Sequence, residues 1–141
     1  MKRRWLRFCA GALGLTLLLI SACAKKDYAE AIKGNWGIEL PEGCQAIYVK
    51  QSEAGFNGDS ERYHVFDCSD AQGMPELVEW YDGIVKDNAS YRLLDVLGVE
   101  DADYPQPGIY KKYVQSKAGG STLVLLYSLD SKLLYVLEDF Y

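Results

Sequence analysis

The 141-residue chain predicts an α+β domain: a mainly antiparallel sheet of about five to six strands, with one or two helices packed on one face. Three observations carry that reading. Two runs rich in β-branched and aromatic residues, Gln45–Gln51 and Arg62–Asp67, flank the turn-rich cluster Ala54-Gly55-Phe56-Asn57-Gly58-Asp59, as in a β-hairpin. Three further strand-like runs close the chain, Ile109–Gln115, Thr122–Leu129 and Leu133–Phe140, separated by short Gly- or Asp-containing turns. Between the two strand regions, Leu77, Trp80, Tyr81, Ile84 and Val85 recur at helical spacing after Pro75. Strands, then helix, then strands is the order of an α+β fold.

In chain order, Tyr28–Lys33 has helical composition and meets Gly34, a residue suited to a helix C-terminus. Trp36, Ile38 and Leu40 then alternate with Gly37 and Glu39 up to Pro41, which predicts a first strand. In the hairpin, Cys44 and Cys68 are equidistant from Phe56, so a symmetric register sets them opposite each other within disulfide reach. That register pairs Ile47 with Val65 and Val49 with Tyr63 on the expected core side, and Tyr48 with His64 and Ala46 with Phe66 on the other. It also sets Lys50 against Arg62, a like-charge pair that a bulge in the Gly-rich turn would relieve. Gly83 inside the predicted helix costs up to about 1 kcal/mol relative to alanine, so that helix needs packing to survive. Ser90–Leu97 reads as a further helical piece stopped by Gly98, with a strand as the alternative. Val99–Gly108, with Glu100, Asp101, Asp103, Pro105 and Pro107, reads as an acidic surface loop. The last two strands place apolar residues on both parities, the pattern of strands covered on both faces.

The N-terminus carries the most specific signal. Lys2, Arg3, Arg4 and Arg7 precede the apolar run Phe8–Ile20, which stops well short of the roughly 20 residues needed to cross a bilayer. The run ends in Ile20-Ser21-Ala22-Cys23, which resembles the lipobox of bacterial lipoproteins. That resemblance implies cleavage before Cys23, a lipid such as palmitate on the new N-terminus, and an extracytoplasmic life at the cell envelope. In a Gram-negative cell, Ala24 in place of an aspartate implies the outer membrane; in a Gram-positive cell the anchor is the outer face of the cell membrane. The organisation expected is a signal peptide over 1–22, a tether and short helix over 23–34, and a single domain over 35–141.

Loss of the leader discards Cys9 and assigns Cys23 to lipid, so Cys44 and Cys68 remain as a disulfide pair in an oxidising compartment. Their separation has neither the C-x-x-C spacing nor the extra ligands of a metal or redox site. The leader also holds four of the fifteen Lys+Arg and none of the twenty Asp+Glu, so the mature chain is more acidic than the formal −5 of the whole. Beyond the pairs Lys25-Lys26 and Lys111-Lys112 no basic cluster survives, which argues against nucleic acid as a partner.

His64 is the single histidine and is expected to be solvated on the sheet beside Tyr48, poor raw material for a nucleophile system. Glu100-Asp101-Ala102-Asp103 and Asn57-Gly58-Asp59 offer hard oxygen ligands without the spacing of a calcium loop. No phosphate-binding glycine motif is present. No catalytic, cofactor-binding or metal-binding residue is therefore assigned, and the chain is expected not to be an enzyme. All 11 tyrosines lie in the mature domain, a composition common at interfaces. The turn Gly55–Asp59 and the run Leu134-Tyr135-Val136-Leu137-Glu138 are similar to small exported bacterial proteins of unknown function. The expectation is a non-catalytic, protein-binding lipoprotein, with Phe56 at the turn tip as partner contact. An inhibitor or immunity-type protein, a structural envelope factor and a small hydrolase are the competing classes.

Overall fold

The computed structural model describes residues 27–55, 59–85 and 92–141. Its first element, helix α1 (Tyr28–Trp36), starts where the Asp27 carboxylate accepts from the backbone N–H groups of Ala29 and Glu30 at 3.1 and 3.2 Å. Glu30 in the first turn and Lys33 in the last suit the helix dipole. The helix ends not at Gly34 but at Gly37, whose φ of 73° lets its N–H reach the Lys33 carbonyl at 2.8 Å. The expected strand Trp36–Leu40 is therefore absent. Trp36 and Ile32 are four residues apart, share one helix face and are both buried, and burying that pair outweighs the local alternation.

Strands β1 (Gln45–Gln51) and β2 (Ser60–Asp67) form the expected hairpin, closed at its open end by the Cys44–Cys68 disulfide with the Cα atoms 4.2 Å apart. The symmetric register holds for Ala46 with Phe66 and then slips by one. Ile47 is a bulge and lies exposed; Tyr48 faces Val65, Val49 faces His64, Lys50 faces Tyr63 and Gln51 faces Arg62. The bulge sits beside the disulfide rather than in the turn, and it removes the Lys50–Arg62 opposition all the same.

The predicted helix after Pro75 is replaced by a single 3-10 turn, Met74–Glu76, and by strand β3 (Tyr81–Val85). The Trp80 indole N–H donates to the Met74 carbonyl at 2.7 Å and locks the turn. Gly83 explains the outcome: a Cβ there would lie 3.0 Å from the Lys112 Cβ, so the glycine permits close pairing with β4 (Gly108–Ser116), whereas in a helix it would only weaken. Helix α2 (Arg92–Val96) follows, with Leu94 and Leu97 buried and Gly98 left-handed as the expected stop. Strands β5 (Thr122–Tyr127) and β6 (Leu133–Phe140) complete the set.

The six strands among the described residues are antiparallel in the order β1-β2-β6-β5-β4-β3, so within them β6 and β5 are central and β1 and β3 are the edges. Both faces are covered. On one, Phe66, Leu123, Leu125, Leu134 and Val136 pack with Ile32 and Trp36 of α1. On the other, Tyr63, Val65, Leu126, Tyr135 and Leu137 pack with Leu94 and Leu97 around α2. The helices thus divide between the faces instead of sharing one, as the two-parity apolar pattern of β5 and β6 requires. Among the described residues no helix is long and apolar enough to cross a membrane.

Candidate functional site

Three features stand out from this scaffold, one on each face of the sheet and one at its edge. Under α1, Glu138 and His64 are buried at 0% and 1% exposure. The Trp36 indole N–H donates to Glu138 Oε1 at 2.7 Å, and His64 Nε2 lies 3.1 Å from Oε2. Burial alone would push the Glu138 carboxyl up. The hydrogen bonds from His64 and Trp36 and the positive charges of His64 and Arg62 outweigh it and hold the group below its usual range. His64 is thus a buried partner of Glu138, not the solvated sheet residue expected from its isolation in sequence. The bulge at Ile47 turns Tyr48 to the α2 face, and α1 supplies Tyr28 over the imidazole, with centroids 5.0 Å apart.

On the α2 face the tyrosines work inward. Tyr63 donates to the Asp103 carbonyl at 2.6 Å, Tyr110 to the Gln106 carbonyl at 2.6 Å, and Tyr104 to the Asp95 carboxylate at 2.7 Å. The Asp95 hydrogen bond, with burial, pushes the Tyr104 phenol up to about 12; burial likewise raises Tyr63. These bonds pin the acidic segment to the sheet, where Val99, Tyr104 and Pro105 are buried. It is therefore a docked segment with a 3-10 turn at Asp101–Asp103, not a plain surface loop. Three of the eleven tyrosines that pointed to an interface are spent on this internal fastening.

The third feature is the β3 edge. Ile84 and Ile109 pair across β3 and β4 at 70% and 74% exposure, and Leu129, half exposed, lies in the β5–β6 turn at the same end of the sheet. Lys111 and Asp82, 2.6 Å apart, form an ion pair on the same face. Tyr81, at the start of the strand, is also exposed.

Cys23 and Phe56 lie outside the described residues, and Cys44 and Cys68 are joined. Among the described residues no group of three or more His, Cys, Asp or Glu is placed to hold a metal. A shallow polar cleft lined by Glu42, Gly43, Asp70 and Gln72 sits beside the disulfide. Gly43 has a φ of 95°, and a Cβ on it would meet the Asp70 backbone at 2.8 Å. Gly43→Ala is expected to cost on the order of 2 kcal/mol of stability in urea denaturation; a loss under 0.5 kcal/mol would show that the cleft wall yields freely.

Glu138 was missed by sequence reasoning, although one signal existed. A glutamate ending the apolar run Leu133–Leu137, on a strand apolar at both parities, must be paired if it is buried. No known protein family, no curated protein and no solved structure matches this chain.

Proposed function

We propose that the chain is an extracytoplasmic lipoprotein, anchored through Cys23, whose domain binds another protein by strand addition along the open edge of β3. The carrying observation is the contrast between the two edges of the sheet. The β1 edge is blunted by the Ile47 bulge and by exposed Lys50. The β3 edge pairs with β4 in unbroken register, has no lysine or proline, and borders the exposed Ile84–Ile109 pair. Natural sheets guard their edges with bulges, charges and prolines; β3 carries one charge, Asp82, which is paired with Lys111 on β4, and an edge without bulge, lysine or proline beside aliphatic side chains is a template for a partner strand.

The anchor supports the same reading. The tether Cys23–Lys26 reaches about 14 Å at full extension, and α1 begins over β2, where Tyr28 meets His64. A lipid on Cys23 would therefore join the domain beside α1 and β2, at the opposite side of the strand order from β3. An inhibitor of a secreted enzyme and a structural envelope factor are both instances of this function; the identity of the captured protein separates them.

Two measurements test the proposal. Cys23→Ser is expected to yield an unlipidated protein that leaves the membrane fraction; mass spectrometry showing an unmodified N-terminus at another site in the parent would end the anchoring claim. Ile84→Glu with Ile109→Glu is expected to abolish capture of the partner from native membranes, a loss of about 2 kcal/mol or more per anchoring side chain, with the melting temperature kept. Retained binding in that variant, with loss in Phe56→Ala, would move the contact to the β1–β2 turn.

A further inference from the structure

All the sulfur of the described residues gathers at one place. Its bearers are Cys44, Cys68 and Met74; the cysteines are bonded to each other, and the Cys44 Sγ lies 3.9 Å from the Met74 Sδ. In sequence the cysteine pair lacks the further ligand that a metal site needs, and the fold supplies one. Met74 is held there by more than packing. Its carbonyl accepts from the Trp80 indole N–H at 2.7 Å, and Gly73, with a φ of 86°, opens the 3-10 turn that carries it. The cysteines are also held by their backbones. The Cys68 N–H donates to the Lys132 carbonyl at 3.0 Å and the Cys44 N–H to the Pro41 carbonyl at 3.3 Å, while Gln45 and Asp67, the next residues inward, pair across β1 and β2. Breaking the bridge would leave two thiols facing each other beside a thioether.

Two thiolates and a thioether make a soft donor set, which suits Cu(I). Calcium and magnesium take oxygen ligands, and structural zinc takes four ligands where this place offers three. Cys68 and Met74 are buried, and Leu77 and Trp80 pack against the same cluster, so a bound ion would be shielded from water. Cys44 is only partly buried. It follows Gly43 of the polar cleft, whose acidic residues Glu42 and Asp70 favour the approach of a cation.

We propose that Cys44, Cys68 and Met74 form a Cu(I) site, closed while the disulfide is intact and opened by a dithiol. A donor thiolate attacks the Cys44 Sγ, the more exposed half of the bridge, and Cys68 leaves as a thiolate; the donor's second thiol then attacks the mixed disulfide and releases Cys44. The donor ends as a disulfide, having given up two electrons and two protons, and the protein ends with two thiols. Cu(I) displaces both thiol protons and binds the two thiolates and the Met74 thioether, with no change in its oxidation state. The site rests on neither the lipid anchor nor the β3 edge.

The test uses the full chain carrying Cys9→Ser and Cys23→Ser, so that positions 44 and 68 hold its only cysteines. Oxidised and dithiol-reduced samples, freed of reductant under nitrogen, are offered Cu(I) as its bicinchoninate complex. The reduced chain is expected to take one equivalent and the oxidised chain none. Loading is expected to raise the melting temperature of the reduced chain, and X-ray absorption is expected to show three sulfur neighbours. Met74→Leu, which nearly conserves volume, is expected to weaken Cu(I) binding about ten-fold or more, since loss of even an outer group costs that much. No uptake by the reduced chain, uptake by the oxidised chain, equal affinity in Met74→Leu, or only two sulfur neighbours each overturns the site. Should reduction alone unfold the sheet, Cu(I) is expected to restore its circular dichroism; a chain that stays unfolded with copper bound overturns the site as well.

Discussion

Replacing Glu138 with alanine is expected to lower stability by about 3–5 kcal/mol, the range for removing one partner of a buried pair. The variant leaves the Trp36 indole N–H and the His64 imidazole without their shared acceptor in a site closed to water. Glu138→Gln keeps an oxygen for Trp36 and is expected to lose less. The pH dependence follows from the direction of the shift. The folded carboxyl sits below its ordinary value of 4.5, so its contribution is complete above about that pH and is lost as the pH falls through the lower folded value. Asp67 is also lowered and Asp139 raised, with opposite signs, so the difference between parent and Glu138→Gln isolates Glu138. Urea titrations from pH 7 to pH 3 should show that difference shrinking in acid. A Glu138→Ala loss under 1 kcal/mol, or a difference that grows toward pH 3, would falsify the arrangement.

The second large effect is expected at the disulfide. Cys44→Ser with Cys68→Ser should cost about 3.5 kcal/mol from loop closure alone in the chain-entropy picture, a fall in melting temperature on the order of 10 °C. The true loss should be at least that, because Cys68 is part of the α1-face core and Cys44 touches the Met74 sulfur at 3.9 Å. The bridge therefore also holds the segment between α1 and β1 against the Met74 turn. A thiol count on the unfolded, unreduced protein should give zero. Two free thiols, or a double variant that melts with the parent, would contradict this account.

How far the chain could be read in advance differs by element. The hairpin and the last three strands were legible because their evidence is local: β-branched runs, turn residues between them, and apolar residues on both parities. β3 was not. Positions 77, 80, 81, 84 and 85 satisfy helical spacing, while the strand depends on Gly83 fitting against Lys112, a contact made across the intervening α2 region. The Ile47 bulge is equally silent in sequence, since nothing local distinguishes Ile47 from Val49. A single such insertion moved Tyr48 to the α2 face and separated it from His64.

The sequence by itself determined the expected address and the covalent frame. The proposed address rests on one contiguous run, Ile20-Ser21-Ala22-Cys23, and the Cys44–Cys68 bridge on two cysteines placed symmetrically about one turn. Local alternation likewise determined that the carboxyl-terminal half is sheet. The tertiary structure alone decided that His64 and Glu138 meet, that Tyr63, Tyr104 and Tyr110 fasten a loop inward, and that β3 is an edge strand among the described residues. Each of these depends on which strands become neighbours and on which helix covers which face, and those are settled by packing energy summed over residues far apart in the chain.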